Sequence, residues 1–197
     1  MKRLLSLLAL VIVFILLTTA TGCAHYSGGP WMGRVIDSKT KEPIEGAVVL
    51  AVWENDYAAG PGGRGTALVD ASEALTDKEG NFKIAAQSFV GMLPDSKIYG
   101  PLFTIYKPGY ECFKYGEDGE VTGPTSWHVY PKGWKGRFEK PDAIVELIKA
   151  NTKESRLKSL HDAEFETGVV GVPRSTIPNL MKLINDENIH FGFQPYK

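Results

Sequence analysis

Basic residues are too few and too scattered in this chain for one large class of function. Across 197 residues there are 22 Lys and Arg against 23 Asp and Glu, a formal net charge of −1. Nucleic-acid binding needs a dense positive face that displaces counterions from phosphates. The sequence holds no such density, so nucleic acid is excluded as a partner. Cysteine is scarce: Cys23 and Cys112 allow one disulfide at most. No G-x-S-x-G elbow occurs, and His25, His128, His161 and His190 stand in ordinary contexts, which leaves serine or cysteine hydrolysis without support. The Gly-rich stretch Ala58-Ala59-Gly60-Pro61-Gly62-Gly63-Arg64-Gly65 lacks the Lys-Ser/Thr of a phosphate-binding loop. The longest apolar run also falls short of the roughly 20 residues that a membrane-spanning helix needs.

That run lies at the start of the chain. Met1-Lys2-Arg3 is positive, Leu4 to Leu17 is uncharged and interrupted only by Ser6, and Thr18 to Gly22 is small and polar-leaning. Positive, apolar, then small is the order of an export signal, with a retained membrane helix as the alternative. Ala20-Thr21-Gly22-Cys23 resembles a bacterial lipobox. The resemblance implies that diacylglycerol is attached to Cys23, that cleavage follows Gly22, and that the protein is a fatty-acylated lipoprotein. Each buried methylene contributes about 0.8 kcal/mol, and two or three acyl chains hold far better than one. Ala24, in place of an Asp, favours the outer membrane over the inner. Residues 1–22 are thus expected to be signal peptide and 23–30 a short lipidated tether. Without Lys2 and Arg3 the mature chain has 20 basic against 23 acidic side chains, a formal charge of −3. A lipid on its sulfur bars Cys23 from a disulfide, so Cys112 is expected to be a small buried hydrophobe; a Cys23–Cys112 bridge is the reading that contradicts the anchor.

From Trp31 the pattern is β. Trp31 to Asp37 reads as a strand, 38–43 as a turn, and Ala47 to Trp53 as a β-branched, apolar strand entered at Gly46. Asp77-Lys78-Glu79-Gly80 reads as the turn of a hairpin between 73–76 and 81–84. Residues 55–70 read as a long insert, its Gly-rich centre a mobile hairpin loop or, alternatively, a ring of backbone amides for a phosphate.

Three segments together are similar to the carboxypeptidase regulatory-like domain: Gly33-Arg34-Val35-Ile36-Asp37, Pro43-Ile44-Glu45-Gly46-Ala47-Val48-Val49, and Thr76-Asp77-Lys78-Glu79-Gly80-Asn81-Phe82. Leu102 to Tyr110, ending Lys107-Pro108-Gly109-Tyr110, resembles that domain's next strand and exit, and Asp142 to Leu147 its closing strand. The resemblance implies a mainly β fold, a transthyretin-like (prealbumin-like) Greek-key β-sandwich of seven strands over 31–150. It also implies a non-catalytic accessory or binding module. Lys41 departs from the family, which often has Gly there, and so does the insert.

The remaining features each admit two readings. His161-Asp162-Ala163-Glu164 places two zinc-type ligands on one helix face, but the same segment reads as a surface helix. In that helix Asn151 is the N-cap, Glu154 is at N3, and Leu157, Leu160 and Ala163 point inward. Asp77 and Glu79 are calcium ligands or turn caps; capping suits two carboxylates split by Lys78. Trp127, Tyr130 and Trp134 lie in loop-like sequence bracketed by Gly123-Pro124 and Pro131-Lys132-Gly133. They read as packing, as a surface for a sugar or protein partner, or with Lys132, Lys135, Arg137 and Lys140 as a membrane contact. At the C-terminus Ser175 is expected to cap a helix with Pro178 in its first turn and Ile177, Leu180, Met181 and Ile184 on one face. This helical extension, 151–197, packs on the sandwich or offers a docking face.

The function expected is that of a lipid-anchored, non-enzymatic module at the periplasmic face of the outer membrane, without cofactor or metal. It would bind a glycan or an envelope protein through Trp127, Tyr130 and Trp134. The rival readings are a structural subunit docked through its C-terminal helices and an accessory to a metal-dependent hydrolase.

Overall fold

The computed structural model describes residues 25–91, 96–115, 121–122, 143–169 and 171–196. They are mainly β: β1 (His25–Gly28), β2 (Trp31–Asp37), β3 (Val48–Gly60), β4 (Gly63–Leu75), β5 (Asn81–Ile84), β6 (Gln87–Val90), β7 (Lys97–Tyr106), β8 (Phe113–Tyr115), β9 (Val121–Thr122) and β10 (Ile144–Leu147). Two helices follow, α1 (Lys153–Val169) and α2 (Pro178–His190), joined through a 3₁₀ turn at Arg174–Thr176.

The strands form a five-stranded sheet in the order β4-β3-β7-β8-β9, a three-stranded sheet β10-β2-β5, and a separate ribbon β1-β6. All pairings are antiparallel except β10 with β2, where Val145 lies beside Val35. The three- and five-stranded sheets enclose one core: Val35, Phe82, Ile84, Val145 and Leu147 from the first meet Val49, Ala51, Trp53, Phe103 and Ile105 from the second. The other face of the five-stranded sheet is covered by the helices, where Val48, Leu50 and Val52 meet Leu160, Ala163, Ile177, Leu180 and Ile184.

This explains β3. A strand with one wet face alternates polar and apolar residues, whereas one covered on both faces reads as a continuous apolar run. Val48 to Trp53 is such a run and every residue of it is buried. Fully burying side chains such as Leu50 or Ile184 contributes on the order of 2 kcal/mol each. The C-terminal helices are therefore a third layer of the same core, with Leu180 and Ile184 buried as the spacing predicts.

The turn at 77–80 forms with the expected chemistry. The Asp77 carboxylate accepts from the N–H of Glu79 at 3.1 Å and of Asn81 at 2.7 Å. Gly80 sits at φ +79°, where a Cβ would lie 2.4 Å from the Val35 carbonyl oxygen. The flanking strands do not pair as the expected hairpin. β4 pairs with β3, and β5 pairs with β2, so the turn is a corner between sheets. Thr76 fixes it: its buried hydroxyl donates to the Ile44 carbonyl at 2.6 Å and accepts from the Ala47 N–H at 2.8 Å.

The insert corrects a second expectation. Its Gly-rich centre does turn a hairpin at Pro61-Gly62, but its flanks are strand: β3 and β4 stay paired from Val48↔Leu75 out to Gly60↔Gly63, with register shifts after Trp53 and after Ala58. β7 follows β3 only as far as Lys97↔Asp56, so residues beyond form a two-stranded arm. Arg64 donates to both Asp56 carboxylate oxygens at 2.8–2.9 Å. The Tyr57 ring crosses Gly65, where a Cβ would come within 2.8 Å of it. Glycines and acidic residues hide this strand from propensity; cross-strand contacts hold it.

Both helix caps also differ from expectation. α1 is capped by Thr152, whose hydroxyl accepts the Ser155 N–H while Ser155 Oγ accepts the Thr152 N–H, each at 3.1 Å. This is a reciprocal capping box with Ser at N3, one residue after the Asn151–Glu154 pair. For α2, Ser175 belongs to the 3₁₀ turn and Ile177 is the N-cap, with no side-chain cap of its own.

Candidate functional site

Cys23, Trp127, Tyr130 and Trp134 lie outside the described residues. What the fold does position is the chain directly after Cys23. Within the expected tether, 23–30, residues 25–28 form β1, paired to β6 from His25↔Val90 to Gly28↔Gln87. Two contacts weld this ribbon to the body, one from each of its strands. Tyr26 Oη donates to the Gly100 carbonyl at 2.8 Å. The Tyr26 ring stacks on Phe89 with centroids 6.0 Å apart, and Phe89 meets buried Trp53 at 5.5 Å. Trp31, the first residue of β2, also packs on Trp53, at 5.3 Å. Anything attached to Cys23 is thus two residues from a folded strand.

A groove of about 420 Å³ runs where the β4 and β5 edges part. It is lined by the apolar side chains of Met32, Leu75 and Phe82 and by the polar ones of Asp77, Asn81 and Lys83. Leu75 is 47% exposed. The sequence had no signal for this groove, because its walls come from three strands in two sheets.

The motifs that carry the family resemblance turn out to be structural latches. Asp37, 3% exposed, ends β2 and accepts from the N–H of Lys39 and Thr40 at 2.8 and 2.9 Å and from Tyr110 Oη at 3.1 Å. Lys149 Nζ stands 3.6 Å away. The Thr40 amide leads the groups that hold the Asp37 carboxyl down at about 2, against the opposing effect of burial. Tyr110 is pushed up by burial and by that same hydrogen bond. Lys107 Nζ donates to the Glu45 carbonyl at 2.7 Å, and desolvation pulls its pKa down. Lys41 takes φ +62° and donates to buried Glu146 at 2.6 Å. A lysine pays the strain of that conformation where Gly would not, and the ion pair offsets it.

Of the two zinc-type residues, His161 is exposed and Glu164 accepts from Asn188 Nδ2 of α2 at 3.1 Å. Among the described residues no group of three or more His, Cys, Asp or Glu is arranged to hold a metal ion. Cys112 is buried, 4% exposed, in the core beneath the helices. Among the described residues no helix is long and apolar enough to cross a membrane.

No family model matches the chain, and no curated protein matches it. Over 51% of its length it is similar to the crystal structure of a 9R-lipoxygenase from Cyanothece PCC8801, at 15% identity and a TM-score of 0.19. The chain spans 12% of that lipoxygenase chain, a likeness too slight to carry an argument.

Proposed function

We propose that this is a lipid-anchored protein of the bacterial cell envelope, held by acylated Cys23 at the periplasmic face of the outer membrane. Its β body is a transthyretin-like Greek-key sandwich acting as a non-enzymatic binding or accessory module. The strand arrangement supports the fold part of this reading: among the described residues eight strands, β2, β3, β4, β5, β7, β8, β9 and β10, are divided between two facing sheets, and the chain crosses between them after β2, β4, β5 and β9. The observation that carries the anchoring part is the lipobox-like Ala20-Thr21-Gly22-Cys23 standing two residues before a strand joined to the core. A linkage so short holds the body against the bilayer and serves a module that works at the membrane surface. The ligand is a glycan or an envelope protein, engaged through Trp127, Tyr130 and Trp134.

Mass spectrometry of the mature N-terminal peptide tests the anchor: a diacylglyceryl-modified Cys23 is expected, and an unmodified N-terminus refutes it. Glycan-array and pull-down binding with Trp127, Tyr130 and Trp134 each changed to Ala tests the module, and binding unaffected by all three removes them from the site.

A second reading, a subunit docked through its C-terminal helices, is favoured by one specific feature. At and just beyond the end of α2, Ile189, Phe193 and Tyr196 are 60%, 51% and 37% exposed. Deleting 152–197 would uncover Val48, Leu50 and Val52, so the sound test is Ile189→Asp with Phe193→Ser. Loss of co-purifying partners from this folded variant supports the subunit reading, and unchanged co-purification removes it.

A further inference from the structure

The groove beside Leu75 is bounded by two strand edges. Among the described residues β4 ends the five-stranded sheet and β5 ends the three-stranded one. The hydrogen bonds show which main-chain groups these edges leave open. Arg34 turns its N–H toward β10, to the Ala143 carbonyl, and Val35 turns its own the other way, to Gly80, each at 2.8 Å. Successive residues of a paired strand alternate in this manner. Gly33 and Trp31 therefore bond to their β5 partners Phe82 and Ile84, and Asn81 and Lys83 direct their main-chain groups away from β2. Asn81 is taken. Its carbonyl accepts the Asp77 N–H at 2.9 Å, and its own N–H donates to Asp77 Oδ1 at 2.7 Å. Lys83 remains as the open donor and acceptor of β5. On β4, Thr76 donates to the Ala47 carbonyl at 2.9 Å, so Leu75 before it directs its main chain to the outer edge.

The side chains around this opening define what fits it. Exposed Leu75 lines the groove together with Met32 and Phe82. The Asp77 carboxylate is occupied by the amides of Glu79 and Asn81. Lys83, by contrast, is exposed and makes no ion pair with any described residue. The groove thus offers main-chain bonds, an apolar wall and one unbalanced positive charge. A strand added to β5 sets the residue opposite Lys83 on the face of the Lys83 side chain. The neighbours of that residue point to the other face, the one that carries Phe82.

We infer that β5 accepts an extended segment of a partner protein as an added strand. An acidic residue of the segment stands opposite Lys83, and apolar residues beside it seat against Leu75 and Phe82. A second copy of this chain fits worse. Two β5 strands paired antiparallel about Lys83 would set two ammonium groups across from each other, a destabilising contact. This surface lies apart from the ligand site proposed above at Trp127, Tyr130 and Trp134, and depends on neither those residues nor the anchor.

The test pans a phage library of random heptapeptides against the full-length chain, then measures the enriched peptides, synthesised with a fluorescent label, by anisotropy. Enriched sequences are expected to carry Asp or Glu flanked by apolar residues. Lys83→Pro removes the open N–H and spares the bonds of Phe82 and Ile84 to β2. Lys83→Glu reverses the charge with the main chain unchanged, and keeps the test standing should Lys83→Pro fail to fold. Each is expected to weaken binding about tenfold, the loss of one hydrogen bond or charge contact. Bound peptide should also slow hydrogen exchange at the Lys83 amide and leave that of Asn81 as it was. No enriched peptide, equal binding by the variants, or unchanged exchange at Lys83 overturns the added strand. Dimers of the chain that protect the Lys83 amide without peptide overturn the partner and put a second copy in its place.

Discussion

The carboxylate of Glu73 on β4 caps α2 at Asn179: Oε1 accepts the Asn179 N–H at 2.6 Å, while Oε2 accepts that of Leu180 at 3.0 Å. A helix start exposes backbone N–H groups and positive dipole, and a carboxylate satisfies both. Here the cap comes from a distant strand because Ile177, the N-cap residue, has no side-chain oxygen. Glu73→Ala is expected to lower stability by about 1–2 kcal/mol, seen as a lower urea midpoint at unchanged slope, with Glu73→Gln intermediate. An unchanged midpoint in Glu73→Ala would show that water caps the helix as well.

Acid should loosen the corner at the end of β2. The Asp37 carboxyl titrates at about 2 when folded and near 3.9 in an unfolded chain. A depressed folded pKa contributes stability that is present above the unfolded value and lost as pH falls through the window toward 2. Urea midpoints measured between pH 5 and 2 should therefore fall more steeply for the native chain than for Asp37→Asn. Parallel curves would remove Asp37 from the acid response.

The two helices are clasped by one ion pair. Arg156 Nε and Nη2 donate to the two Glu187 oxygens at 2.9 and 2.8 Å, and Glu187 is buried. Removing one partner of a buried pair strands the other charge, so Arg156→Ala should cost about 3 kcal/mol. Arg156→Met combined with Glu187→Leu should recover most of that. A double-mutant cycle by chemical denaturation reads the coupling, and additive effects would refute the clasp.

Gly80 has no acceptable substitute. With φ +79° and a carbonyl oxygen 2.4 Å from where a Cβ would stand, Gly80→Ala meets both strain and a backbone clash. A loss of at least about 1–3 kcal/mol is expected. A thermal midpoint equal to that of the native chain would mean that the corner shifts freely.

Local patterns were legible where chemistry is local. Trp31–Asp37 forms a strand over the residues read as one, Asn81–Ile84 forms one where its alternation marks it, and Asp77 and Gly80 make the turn they favour. Ile177, Leu180, Met181 and Ile184 bury one helix face as their spacing requires. The aromatic residues singled out for ligand binding, Trp127, Tyr130 and Trp134, and the candidate anchor Cys23 stay with the sequence argument alone, outside the described residues.

Other features were decided by contacts between residues far apart in the chain. The arm, the cap on α2, the corner that sends β5 to a different sheet from β4, and the groove beneath Leu75 all belong here. Backbone preference and hydrophobic period act over a few residues, so the sequence by itself determined strand, turn or helix only where those local signals are strong, as at 31–37, 77–80, 81–84 and the face of α2. Which strand pairs with which, and which carboxylate ends which helix, depends on the free energy of closing the core as a whole, and only the tertiary structure decided those.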